Sequence, residues 1–172
     1  MRLISVIDAG DYEFNSDVKM YDAARAIIFT RDGLLMLKSS KNNYYTFPGG
    51  EKQESDETII DTLKRETNDE TGYVVNDKTI KEIGTIIVIN NDDGVILNTT
   101  NHFFTCELKR GVKGSPFLTD SEIEEGLESI FIDPKVALEE NEKLKNEINK
   151  PFIFRDIDAL KFILDNPKYF NK

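Results

Sequence analysis

"FPGGEKQESDETIIDTLKRETNDETGY", Phe47 to Tyr73, sets a Gly-Gly pair ahead of a segment dense in carboxylates. The chain is already acidic, at −10 over 172 residues, so crowding like charges into one stretch needs a physical reason. Read with a 3.6-residue period, Ser55 to Thr71 forms a helix. Ser55 is the expected N-cap, and Asp56 and Glu57 fall in the first turn, where the helix dipole favours negative charge. Ile59, Ile60, Leu63 and Thr67 share one side and should pack on a sheet. Glu66 and Glu70 stand one turn apart on a neighbouring face, and Asp69 lies three residues beyond Glu66. Each like-charge pair costs an isolated helix roughly 0.2–0.5 kcal/mol, which a solvated face tolerates. Charge alone therefore leaves an ordinary acidic surface helix in play.

The neighbours of the helix change that balance. Gly72 ends it as a left-handed C-terminal glycine should, and Gly49-Gly50 precede it across a loop. Backbone carbonyls thus lie near the carboxylate face. Carboxylates with a carbonyl make a hard, all-oxygen donor set suited to Mg²⁺ or Mn²⁺ and poorly suited to zinc. Magnesium keeps water and binds substrate phosphates, so the pattern points to phosphoryl chemistry.

The order Gly49-Gly50, a loop, Glu57, seven residues, Arg65-Glu66, then Asp69-Glu70, Thr71, Gly72 and Tyr73 resembles the box of the Nudix hydrolases. The resemblance implies an α/β (α+β) fold, a Nudix-type α/β/α sandwich with a mixed β-sheet. It also implies hydrolysis of a pyrophosphate bond in a nucleoside diphosphate linked to another group. On that basis Glu66, Asp69 and Glu70 would hold the divalent ion, with the Gly49 carbonyl as a further ligand. Glu70, helped by Glu66, would orient or deprotonate water, while Arg65 and Glu57 would pair and brace the helix. Six residues separate Gly50 from Glu57, one more than the family pattern. The register that keeps the spacing to Arg65 makes Glu57 the bracing acid, and the other register makes it Asp56. Thr67 and Tyr73 replace aliphatic residues of the pattern, and Asp69 is one methylene shorter than the usual Glu.

Outward from the box, "ARAIIFT" (Ala24–Thr30) and "GLLMLK" (Gly33–Lys38) read as a hairpin about Arg31-Asp32-Gly33. "YYTF" (Tyr44–Phe47) is a short strand stopped by Pro48. "KEIGTIIVIN" (Lys81–Asn90) and "VILNTTNHFFTCEL" (Val95–Leu108) form a second hairpin, and "LESIFI" (Leu127–Ile132) a later strand. Asp133-Pro134 opens a helix over Lys135–Ile148, and Arg155–Leu164 carries the apolar stripe of another; both serve packing in this reading. Strands with helices between and after them predict a sheet covered on both faces, in a single domain over residues 1–172.

Some Nudix relatives add an acid from a later loop. Here Glu122, Glu124 and Glu125 precede the Leu127–Ile132 strand, and Glu125 is the choice by its distance from it. Arg25 and Lys38 are the cations assigned to phosphate, and Tyr45 and Phe103 the aromatics assigned to a base. Aromatic strand residues are more often core, and His102, the lone histidine, fits a structural or substrate-facing role.

Composition narrows the classes further. The acidic balance argues against long nucleic acid, which needs a basic face, but it permits a small anionic substrate with an intervening cation. One cysteine excludes an internal disulfide framework. No apolar run reaches the roughly 20 residues of a membrane helix, and the N-terminal segment has no usable signal-peptide core, so the expected location is cytoplasmic. A homodimer is admitted by the resemblance. Two other classes stand beside the hydrolase: a Nudix-fold nucleotide-sensing module without turnover, favoured by the extra residue before Glu57, and an acidic interaction domain with no metal site.

Overall fold

The computed structural model describes residues 2–13, 15–148 and 150–170. In chain order the elements are β1 (Leu3–Asp8), β2 (Asp17–Ile27), β3 (Phe29–Thr30), β4 (Gly33–Ser39), β5 (Tyr45–Thr46) and α1 (Ile59–Thr71). Then come β6 (Tyr73–Val75), β7 (Lys81–Asp92), β8 (Val95–Thr105), β9 (Leu108–Lys113), α2 (Asp120–Glu125), β10 (Leu127–Ile132), α3 (Pro134–Ile148) and α4 (Pro151–Asp165).

A mixed sheet runs β1-β7-β8-β2, with β7 and β8 as the expected antiparallel hairpin and the outer strands parallel to their neighbours. A second sheet runs β10-β4-β3, with β5 also on β4, and β6 pairs with β9. The expected hairpin before the box is therefore split. Ala24–Ile27 belong to β2 and pair with β8, while Phe29–Thr30 alone fold back on β4. The chain changes sheet at Ile28, whose carbonyl accepts from the Leu35 N–H at 2.9 Å. The strand expected over Tyr44–Phe47 shrinks to Tyr45–Thr46, because Pro48 has no N–H to extend a ladder.

Alternation along β2 sets the layers, since successive side chains point to opposite faces. Ala24 and Ala26 join Leu63 of α1, with Val75, Phe104 and Cys106, in one cluster. Ile27 joins Phe47, Ile86, Phe103 and the α4 residues Ala159, Leu160 and Ile163 in another. Two alanines where α1 crosses β2 allow close approach, and burial on both faces gives the predicted sandwich with its mixed sheet. The Cys106 thiol is buried and pushed up to about 12 by desolvation, in keeping with a core filler. Among the described residues, no helix is long and apolar enough to cross a membrane.

Candidate active site

The acidic helix starts later than its sequence suggests. α1 begins at Ile59 with Thr58 as N-cap, not at Ser55. Thr58 and Asp61 form a reciprocal capping box: Asp61 N–H donates to Thr58 Oγ1, and Thr58 N–H donates to Asp61 Oδ2. Gly72 closes the helix in the left-handed region at φ 73°, its N–H donating to the Asn68 carbonyl at 2.7 Å. Ile59, Ile60, Leu63 and Thr67 face the sheet as expected, with Leu63 and Thr67 fully buried.

The bracing acid is Asp56, which corrects the preferred register. Arg65 donates from Nε to Asp56 Oδ1 at 3.0 Å and from Nη2 to Oδ2 at 2.8 Å, a two-pronged pair. Asp56 Oδ2 also accepts from the Gln53 N–H and the Thr62 hydroxyl, both at 3.0 Å. Glu57 is exposed to solvent instead. The extra residue sits in the turn before Thr58, so the helix phase from Arg65 onward is undisturbed. The Arg65 guanidinium, helped by the Gln53 and Thr62 donors, holds the Asp56 carboxyl well below the usual range.

Arg65 then reaches forward. Its Nη1 donates to Glu66 Oε1 at 2.7 Å and lies 4.0 Å from Asp69 Oδ2. Glu66 is half-buried, and burial raises its pKa against the opposing pull of Arg65 and Arg25. Glu70 is buried at 7% exposure, and its Oε2 accepts from the Gly49 N–H at 2.6 Å. Desolvation pushes its carboxyl up to about 8; Gly49 N–H and Arg25 oppose this, while Glu66 and Glu122 add to it.

The two glycines make this proximity possible. Gly49 has φ 138°, and a Cβ there would stand 1.9 Å from the Ala24 carbonyl oxygen of β2. A Cβ on Gly50 would meet the Glu66 carboxylate at 2.6 Å. Backbone bonds from Ala24 N–H to the Gly50 carbonyl and from Ala26 N–H to the Pro48 carbonyl seat the turn against the free edge of β2.

The other assigned residues divide. Arg25 reaches the site, but its Nη1 donates to the Gly49 carbonyl and its Nε to Asn101 Oδ1 at 3.2 Å. Lys38 lies over the Tyr45 ring at 5.8 Å. Tyr45 and Phe103 are core residues, not base-stacking ones: Phe103 is fully buried edge-on to Phe47. Tyr45 is 7% exposed, with both its backbone groups bonded by the Asn141 side chain at 2.8 Å. His102 bridges Glu82 and Asp22 at 3.1 and 3.0 Å through its two ring nitrogens, a structural arrangement.

Outside the box, Glu125 is engaged by two polar side chains. Glu125 Oε2 accepts from Ser39 Oγ at 3.0 Å and Asn42 Nδ2 at 2.9 Å, tying α2 to the end of β4. The Glu122 charge adds to the upward push on the Glu66 and Glu70 carboxyls, while its own Oε2 accepts from the Thr119 N–H at 2.6 Å. The segment read as a loop is a helix, α2, with Thr119 and Glu122 as its capping box.

Sequence reasoning also missed Arg155 and Asp156, taken as part of a packing helix. They form a buried pair at 2.8 and 2.9 Å, and Arg155 extends to Thr46 Oγ1 at 3.1 Å and Asn101 Oδ1 at 3.4 Å. The only hint was an Arg-Asp dipeptide within an apolar stripe. Among the described residues, no three His, Cys, Asp or Glu side chains converge closely enough to enclose an ion as they stand. Arg65 engages Glu66, and Arg25 engages the Gly49 carbonyl, which was expected as a ligand.

The family model of the NUDIX domain matches residues 20–155, which takes in most of β2, every later strand, the acidic helix and the first turn of α4 but not β1. The chain belongs to the Nudix family. Its fold resembles that of a Nudix hydrolase from Nitrosomonas europaea, with a TM-score of 0.60 and 16% identity over 82% of this chain and 88% of that one. The ORF135 protein of E. coli is similar at a TM-score of 0.52 and 17% identity, over 90% of this chain and 95% of that one. A comparison with curated proteins finds no match. In this Nudix hydrolase the box glycines, the Asp56-Arg65 pair and the carboxylates are spread along α1, from the turn before its cap to its last turn.

Proposed function

We propose that this Nudix hydrolase is a Mg²⁺- or Mn²⁺-dependent pyrophosphohydrolase of a small nucleoside diphosphate derivative. The observation that carries the reading is the pair of carboxylates one turn apart, Glu66 and Glu70, set against the Gly49-Gly50 turn. Burial of Glu70 near Glu66 is costly unless a cation answers it, and the donors are all oxygen, which fits a hard divalent ion. Glu66, Asp69 and Glu70 would hold that ion. The bound cation supplies charge neutralisation at the diphosphate oxygens and makes water more acidic.

The chain's own groups do the rest. Gly49 N–H fixes one oxygen of Glu70, so the carboxylate presents a defined edge to a water molecule. Glu70 takes the proton as the water oxygen bonds to phosphorus and the bridging P–O bond breaks, releasing two phosphorylated products. Asp56 holds Arg65, and Arg65 holds Glu66, so the carboxylates keep their spacing while charge moves. The extra residue before Arg65, the feature that favoured a sensing module without turnover, lies ahead of the helix cap and leaves this constellation in phase.

A net charge of −10 disfavours long polyanions and suits a compact substrate, and we place the protein in the cytoplasm on the same footing. The test is phosphate or nucleotide release over a panel of nucleoside diphosphate derivatives, with and without millimolar Mn²⁺. Cation-dependent cleavage of at least one member is the expected result. Mn²⁺ binding without cleavage of any would turn the reading toward a sensing module.

A further inference from the structure

Two arginines that approach the same acceptor need an explanation. Arg25 Nε and Arg155 Nη1 both donate to Asn101 Oδ1, at 3.2 and 3.4 Å. Asn101 is 1% exposed, so neither charge is relieved there by water. Asp156 pairs with Arg155 through both of its oxygens and answers that charge. Among the described residues no carboxylate bonds Arg25 in the same way; it donates to Asn101 and to the Gly49 carbonyl, and Asp156, Glu70 and Glu66 act on it at longer range. The Gly49 residue is thus held twice: its carbonyl by Arg25, its N–H by Glu70.

The support for Arg25 comes from α4. Arg155 holds Asn101 and also Thr46, the residue before Phe47-Pro48-Gly49. A run of bonds therefore leads from the buried Arg155-Asp156 pair through Asn101 and Arg25 to Gly49 and Glu70. Every bond in it is internal, and Arg25 is its only guanidinium without a carboxylate pair.

We propose that Arg25 is a positioning residue acting as a built-in counter-cation: it occupies the Gly49 carbonyl, compensates Glu70 and Glu66 in the cation-free protein, and opposes divalent-ion binding there. The proposal rests on the cation-dependent reading above, and it explains why the carboxylates do not enclose an ion as they stand. A divalent ion at these acids meets a fixed positive charge and a carbonyl already bonded to that charge through one of its lone pairs. Cation affinity is then set partly from α4, through the residues that hold Arg25 in place.

The experiment is calorimetric titration of the full chain with Mn²⁺ alone, for wild type, Arg25→Gln and Arg25→Lys, with thermal melts to establish folding. Arg25→Gln removes the charge and is expected to bind Mn²⁺ about tenfold more tightly, as loss of one nearby positive charge in a partly buried site requires. Arg25→Lys keeps the charge and should stay within about threefold of wild type, which a purely structural role for the fork would not predict. If Arg25→Gln fails to fold, Asn101→Ser frees the guanidinium from its shared acceptor and should tighten binding by a smaller factor. Binding by wild type with no gain in the folded charge-removing variant overturns the proposal alone. Silence in every variant overturns the cation reading, and the proposal with it.

Discussion

Replacing Asp56 with alanine tests the assignment on which the site's geometry depends. The side chain is 5% exposed and accepts four hydrogen bonds, two from Arg65 and one each from Gln53 N–H and Thr62 Oγ1. Removing one partner of a buried ion pair costs about 3–5 kcal/mol. Arg65 keeps 24% of its side-chain surface in water, which offsets part of that loss. A destabilisation of about 2–4 kcal/mol is therefore expected, since Thr62 and Gln53 also lose a buried acceptor. For a chain of this length each kcal/mol moves the midpoint by about 2–4 °C, so the melt should fall by about 6–12 °C for a mid-range loss. Glu57→Ala is the matched control; its side chain is exposed, and the change should stay within about 0.5 kcal/mol. The pH dependence has a definite sign. Arg65 depresses the Asp56 carboxyl in the folded state, so its contribution is present above the unfolded value of about 3.9 and is lost as pH falls through the folded one. The gap between wild type and Asp56→Asn should therefore be full at neutral pH and narrow below about pH 4. Equal costs at Asp56 and Glu57, or a larger one at Glu57, would refute the bracing assignment.

Four further outcomes are expected. Gly49→Ala should fold poorly, because its Cβ would strike the Ala24 backbone oxygen at φ 138°, whereas Gly50→Ala should fold but displace the Glu66 carboxylate and lower activity; thermal melts beside steady-state rates separate the two. Glu70→Gln should cut turnover on the order of a hundredfold or more, while Glu139→Gln on exposed α3 surface leaves it unchanged. In chelator-treated protein the folded Glu70 retains a proton, up to about 8, that the unfolded chain has released above about 4.3, so stability falls as pH rises through that window and Glu70→Gln should gain on wild type from pH 5 to 8. Millimolar Mn²⁺ should raise the wild-type midpoint by mass action, by about 2.7 kcal/mol at a hundredfold excess over Kd, and an unchanged midpoint would count against a cation site.

The parts of this fold legible in sequence are those governed by local periodicity. The face of α1 that packs, its Gly72 cap and the β7–β8 hairpin each follow from spacing within one element. The register of the brace did not, because counting back from Arg65 assumed a helix running to Ser55. The signal was present: Thr58 followed three residues later by Asp61 is a capping box, and it places the cap after the extra residue. The same pattern, Thr119 with Glu122, marks α2 and went unread, while Glu125 was chosen by its distance from the following strand. Tyr45 and Phe103 show a different limit. A strand's composition gives the alternation but not which face is wet, and both residues turned inward where α3 and α4 cover the sheet. Arg155 and Asp156 were hidden because they satisfy each other within one turn of an apolar helix.

The crowding of acids in the box also takes a different meaning once their surroundings are known. A row of solvated carboxylates repels weakly and attracts a cation weakly, since water screens both. Here the row is graded. Asp69 keeps 39% of its side-chain surface in water, Glu66 keeps 14%, and Glu70 is buried against the glycine turn. Burial strengthens every charge interaction at the inner end, so the unfavourable terms must be answered there. Arg65 answers them from the side, held by Asp56, and Arg25 answers them from the sheet, held through Asn101 by α4. Arg65, shared with Asp56, and Arg25 stand against Glu66, Asp69 and Glu70, which leaves the proposed site short of positive charge, and that shortfall is what a divalent ion would fill.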